Sequence, residues 1–229
     1  MKPIILSCIF LTVFLVNCKN KNSSKINIDN IDSVSLTTIE DTDTLVLKQI
    51  PEQINLWLKY YQQFDSNFSI NQFIASGVAL HIDDLPDVIP KENENEMPDF
   101  FRYSPDSSKY VDLVSYNYFK VKNKLFDGEI DQQVVLYDKF RKLKKQLMFN
   151  GPNDLAECAD WIGPSALLIG VSHKNTTNDT INAEIFMFQL NDSTYTNFSL
   201  NHTVYLDSNQ LLKPNFLKHF FSLHNLLTQ

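Results

Sequence analysis

Two nearly continuous apolar runs, Ala166-Leu167-Leu168-Ile169-Gly170-Val171 and Ile185-Phe186-Met187-Phe188-Gln189-Leu190, constrain this chain more than any other feature. Each has the length of a strand, and a run without polar alternation needs cover on both faces. Both are therefore expected to be central strands, with the polar stretch His173–Asp179 turning between them. Thr194–Asn201 alternates instead, setting Phe198 and Leu200 against Asn197, Ser199 and Asn201, which is the pattern of a half-exposed strand.

These strands belong to an internal echo. Tyr103-Ser104-Pro105-Asp106-Ser107-Ser108-Lys109-Tyr110-Val111 and Trp161-Ile162-Gly163-Pro164-Ser165-Ala166-Leu167-Leu168 each join an aromatic, a Pro-containing turn and an apolar strand. A second strand follows each opener (Gln133–Asp138 and Glu184–Asp192), and a third closes each unit (Leu143–Phe149 and Tyr195–Leu200). Proline presets φ at the second turn position, and the Asp after it caps a nearby backbone N–H. Ser104-Pro105-Asp106-Ser107 resembles the Ser-Pro-Asp-Gly turn of WD-type and Tol-type β-propeller blades, with Ser107 where that family has Gly. The resemblance implies two blade-like units, at about 100–150 and 155–206. A closed propeller takes about four to eight blades, so an open antiparallel sheet with flanking helices is expected. The class is mainly β, with α+β as the alternative. Asp127-Gly128 reads as a hairpin tip.

Helices flank the repeats. Pro51 suits a first helical position, and Ile54, Trp57, Leu58 and Tyr61 share one face beyond it. Ile70–Ile82 reads as helix to Gly77 and then strand, and Leu45–Leu47 as a short edge strand. Asp83–Asp99 is an acidic, proline-broken loop without the ligand spacing of a calcium loop. Pro214–Leu227 reads as a C-terminal helix, apolar enough to dock on the sheet or to bind a partner.

The beginning of the chain carries an address. A short positive start and an apolar run to Val16 end at Leu15-Val16-Asn17-Cys18, which resembles the lipobox of bacterial lipoproteins. The resemblance implies a signal peptide over 1–17, acylation of Cys18, and a polar tether over 18–44 before a single β-rich domain over 45–229. Lys19 after the cysteine, with no acid before Asp29, implies the outer membrane and its periplasmic face. Asp32-Ser33-Val34, Asp43-Thr44-Leu45, Asp179-Thr180-Ile181 and Asp192-Ser193-Thr194 resemble short acceptors of bacterial periplasmic O-glycosylation.

Charge and chemistry narrow the function. The net charge is −7, and loss of Lys2 with the leader leaves 19 basic against 27 acidic residues, or −8, which disfavours nucleic acid. With Cys8 in the leader and Cys18 acylated, Cys158 is a lone thiol among small and apolar neighbours, expected buried. No nucleophile elbow, Walker loop, dinucleotide fingerprint or zinc-protease motif occurs. His219 and His224 are spaced for different helix faces, and His81, His173 and His202 stand singly. Asp112, Asp138 and Asp160 are expected to bond turns or backbone. No catalytic residue, metal site or cofactor is therefore expected. The chain resembles cell-envelope lipoproteins, which implies a non-catalytic accessory or interaction subunit with an envelope protein partner. A glycan- or small-ligand-binding lipoprotein is the alternative, with Trp57, Tyr116 and Tyr118 as its stacking residues.

Overall fold

Pro51, with extended backbone, leads into α1 (Glu52–Gln62), whose Ile54, Trp57, Leu58, Tyr60 and Tyr61 are buried. This computed structural model describes residues 44, 45, 47, 49–76, 80–86, 88, 96–121, 124–128, 130–175, 177–207 and 215–223. The lipobox with Cys18, the stretch 18–43 and Pro214 lie outside them. After α1, short strands β1 (Phe73–Ala75) and β2 (Leu80–His81) precede β3 (Arg102–Tyr103) and β4 (Lys109–Asp112). A hairpin, β5 (Tyr118–Val121) and β6 (Lys124–Asp127), is inserted before β7 (Gln132–Asp138) and β8 (Leu143–Asn150). Then follow β9 (Asp154–Ile162), β10 (Ala166–Asn175), β11 (Thr180–Gln189), β12 (Thr194–Leu200), β13 (Val204–Tyr205) and α2 (Phe216–Leu223).

The molecule is mainly β, with open antiparallel sheets, two short helices near the termini and no closed propeller. The larger sheet runs β1-β12-β11-β10-β9, with β13 on β11 and β2 on β12, and the smaller runs β3-β4-β7-β8. One apolar cluster joins α1 to one face of the larger sheet through Trp57, Tyr61, Leu168, Ile185 and Phe198. A second joins the opposite face to the smaller sheet through Leu167, Ile169, Val111, Val134 and Leu136. The larger sheet is thus covered on both sides, which is why β10 and β11 read as unbroken apolar runs although their pairing is antiparallel. β12 alternates as its sequence demands, with Thr196, Phe198 and Leu200 inward.

The turns do the chain-reversing work without glycine at most corners. Ser107 holds φ 56° in the turn where the resembling blades carry Gly. Asp106 Oδ1 offsets that strain by accepting from Ser108 N–H at 3.0 Å and from the Ser104 and Ser108 hydroxyls at 2.7 and 2.8 Å. These hydroxyl and amide donors pull the Asp106 carboxyl down to about 2.

Four local expectations need correction. Asp127-Gly128 is not a hairpin tip: Val121 pairs Lys124 at the β5–β6 turn, and Gly128 N–H instead donates to Asn117 O at the open end of that hairpin. Ile70–Gln72 is one 3₁₀ turn leading into strand β1, not the first half of a longer helix. The second unit has a full strand, β9, that ends with the expected opener residues Trp161 and Ile162, because the small residues Ala156, Cys158 and Ala159 and the acids Glu157 and Asp160 hide its strand character. His173 lies within β10, which extends past the apolar run to Asn175.

Candidate functional site

The strand β9 carries one acid that the fold sends inward. Gly170 pairs with Cys158 and Val171 with Ala156, so Glu157 is the extra residue of a bulge. A bulge re-aims a side chain, and Glu157 is accordingly 1 % exposed beneath both helices. Its Oε2 accepts from Trp57 Nε1–H and from Tyr61 O–H, both at 2.7 Å. Those donors sit one turn apart on α1, the i, i+4 spacing that puts them side by side. Its Oε1 accepts from Phe216 N–H at 3.0 Å, the first residue of α2. One carboxylate thereby ties β9, α1 and α2 together. Burial pushes the Glu157 carboxyl up to about 7, against the pull of its donors Trp57, Tyr61, Phe216 and Ser172. Burial, and then Glu157 itself, raise the Tyr61 phenol well above its ordinary value.

The backbone beside it is cut to fit. A Cβ on Gly170 would lie 2.7 Å from Cys158 Sγ and 3.1 Å from the Trp57 ring, so glycine is what lets the indole reach the sheet. The Cys158 thiol is buried, and burial followed by Glu157 raises it well above its ordinary value, which suits packing and not nucleophilic attack. Next to Glu157 lies a cavity of about 20 Å³ bordered by Gln53, Arg102, Phe216 and Phe220. That is room for about one water molecule. Arg102 reaches it with its guanidinium 5.7 Å from the Phe220 ring centre. Burial lowers the Arg102 value, while Asp160 holds it up.

A second charged group spans three neighbouring strands. His173 Nδ1 meets Asp154 Oδ1 at 2.9 Å, and its Nε2 lies 3.1 Å from Glu184 Oε2. Glu184 raises the His173 value, burial opposes it, and Asp154 adds to the rise. Both ring nitrogens thus lie beside carboxylates. Among the described residues no cluster of three His, Cys, Asp or Glu is arranged to hold a metal ion.

The outward face of the smaller sheet is aromatic. Tyr103, Tyr110, Tyr137 and Lys144 fall in one cross-strand row over β3, β4, β7 and β8. Tyr110 stacks on Phe101 at 4.5 Å and 13°, and on Tyr137 at 4.4 Å and 9°. The Lys144 ammonium caps Tyr137 at 4.8 Å, and that of Lys139 lies 5.0 Å from the Tyr103 ring. Phe101, Tyr110 and Tyr137 thus form one face-to-face stack, with Tyr103 tilted against Tyr110 at 5.4 Å and 46°. Burial, then Glu96, push the Tyr110 phenol up to about 12, so it stays a neutral donor.

Comparison with known proteins returned nothing: no family model, curated protein or solved structure matches this chain.

The stacking residues expected from sequence do not share a surface. Trp57 is fully buried on Glu157, and Tyr118 is 3 % exposed, edge-on to Phe221. Tyr116 is half-buried against Phe149. Two of the three therefore lack the exposure that ring stacking on a ligand requires. The aspartates bond backbone as expected: Asp112 takes Val114 and Ser115 N–H, Asp138 takes Phe140 and Arg141 N–H, and Asp160 takes Gln53 N–H. Of the glycosylation-like acceptors, Thr180 is buried and Ser193 sits on the β11–β12 turn. Reading by sequence missed Glu157 and the tyrosine row. An acid between Ala156 and Cys158, inside a run of small residues, was the available signal for the first.

Proposed function

We propose that this chain is a non-catalytic cell-envelope lipoprotein, anchored through Cys18 in the outer membrane and facing the periplasm. In this reading it presents the outer face of the β3-β4-β7-β8 sheet to a protein partner as an accessory subunit. The observation that carries the proposal is the tyrosine row. Saccharide recognition uses open aromatic faces, but here both faces of Tyr110 are covered by Phe101 and Tyr137. What remains outward is the exposed Tyr103 ring beside the half-buried rings of Tyr110 and Tyr137, with Lys139 and Lys144 over the row, the amphipathic surface that protein interfaces favour. Nucleic acid does not suit a chain of charge −7.

The same reading takes the two sheets as blade-like units. β3-β4-β7-β8 and β9-β10-β11-β12 are both four-stranded antiparallel meanders. Positive φ falls at Ser107 and Gly163 in the first turn of each, and at Lys142 and Ser193 just before each last strand. The β5–β6 hairpin is then an insertion in the first unit.

The test is native isolation from detergent-solubilised membranes, comparing the wild-type chain with the Tyr103→Ala, Lys144→Glu double variant. One stoichiometric envelope protein is expected with the wild type, and at least tenfold less with the variant. Both changes are on the outer face, so the thermal midpoint should move by only a few degrees. Equal recovery of the same partner by both chains would remove the row from the interface. Absence of bound acyl chains at Cys18, read by mass, would remove the anchor.

A further inference from the structure

The β7–β8 turn is built differently from the rest of this acidic surface. Lys139, Phe140, Arg141 and Lys142 are consecutive and all exposed, and Phe140 at 83 % is the most exposed large apolar side chain among the described residues. The turn is held firmly in this shape. Asp138 Oδ1 accepts from Phe140 N–H at 3.0 Å and Arg141 N–H at 2.9 Å, while Lys139 N–H donates to Ser108 O at 3.0 Å. Lys142 closes it at φ 50°. The Asp138 carboxylate is 5 % exposed and spent largely on those amides, with Arg141 Nε at 3.8 Å. The Lys139 ammonium folds back to donate to Ser107 O at 2.8 Å, while Arg141, Lys142 and a bare phenyl ring project together from a chain whose net charge is −7.

A convex tip of this kind matches an anionic bilayer surface. Cations meet headgroup phosphates while an aromatic ring settles at the boundary with the acyl chains, and no concave partner is needed. Its chemistry is that of an anionic lipid headgroup, which needs no base or sugar contact. We propose that the β7–β8 turn is a membrane-contact tip for anionic lipid, with Phe140 entering the interface and Arg141 and Lys142 binding headgroups. The tip does not require the Cys18 anchor. Where the anchor is present, the residues between Cys18 and Leu45 reach at most about 90 Å at ~3.5 Å each, so both can engage one bilayer. The tyrosine row, joined to the tip through Lys139, would then face a partner at the membrane surface.

The test uses the full lipidated chain with Phe140→Trp, floated with vesicles of phosphatidylcholine alone or mixed with phosphatidylglycerol, each carrying brominated acyl chains. Trp57 and Trp161 are buried and supply the background, measured on the wild type. A blue-shifted emission, quenched in the anionic vesicles and much less in neutral ones, is expected. Each basic residue near an anionic surface strengthens partitioning roughly fivefold. The added pair Arg141→Glu and Lys142→Glu should thus abolish the quenching. Flotation with both vesicle types but no quenching in either overturns the tip and leaves the anchor standing. Equal quenching in both also overturns it, because charge then plays no part. Flotation with anionic vesicles alone supports the tip without the anchor, and flotation with neither overturns both.

Discussion

Trp57→Ala is expected to cost about 5 kcal/mol of folding stability, near the whole margin of an ordinary domain. Two contributions converge on that side chain. Its ring is fully buried and packs edge-on against Tyr61 and Phe68, at 5.7 and 5.3 Å between centres. Removing a buried aromatic costs roughly 3–5 kcal/mol through lost transfer energy and the cavity left behind. Its N–H also supplies one of the donors that make the burial of Glu157 tolerable, and a buried acceptor left short costs a further 1–3 kcal/mol or so. Relaxation around the site keeps the sum below simple addition. Trp57→Phe separates the two effects, because it keeps a ring but loses the donor, and should cost roughly 2 kcal/mol. Urea denaturation at pH 7 measures both. An alanine variant within about 1 kcal/mol of the wild type would mean that α1 is not anchored as described.

The second large effect is a stability that falls as pH rises through the weakly acidic range. The ordinary value for a Glu carboxyl is 4.5, and in the folded protein burial lifts Glu157 to about 7. Below pH 4.5 both folded and unfolded chains hold the proton, so this residue exerts no penalty. Between 4.5 and 7 the unfolded chain releases it while the folded chain keeps it, and stability drops with each step of pH. Above 7 the folded carboxylate is ionised, and the loss is complete at roughly 3 kcal/mol. The other titratable groups beside it leave that window clear: Tyr60 is raised to about 12, and Tyr61 and Cys158 are raised well above their ordinary values. His173 also has a raised value, but its contribution is lost only above its ordinary 6.5. Glu184, held low by His173, Asn197 and Ser199 against its burial, contributes stability that is lost below pH 4.5. Glu157→Gln should therefore remove most of the fall in thermal midpoint between pH 4.5 and 6.5, leaving only the fall contributed by Asp112, whose carboxyl burial also raises above its ordinary 3.8. A variant curve parallel to the wild-type one would assign the pH dependence elsewhere.

Much of the fold is legible in the chain because local signals and packing agree. Pro51 and the spacing of Ile54, Trp57, Leu58 and Tyr61 define α1 and its buried face. The unbroken runs of β10 and β11 announce cover on both sides, and the alternation in β12 announces cover on one. What the chain does not display are the features made by register. Glu157 faces inward only because a bulge inserts it between the pairs Cys158–Gly170 and Ala156–Val171. Tyr103, Tyr110 and Tyr137 line up only once three strands have paired, across separations no local pattern spans. Trp57 and Tyr118 reverse the lesson. Aromatics that suggest a ligand surface prove to be core residues, because Trp57 packs from α1 onto the larger sheet and Tyr118 is covered by α2.

The central claim is that the tyrosine row is an interface, and photocrosslinking from inside the row tests it most directly. Tyr103 is replaced by p-benzoylphenylalanine in one chain and exposed Lys174, at the far end of β10, in another, and intact cells are irradiated. The account predicts one discrete adduct from position 103, absent from position 174. The same adduct pattern from both positions, or none from position 103, would contradict it.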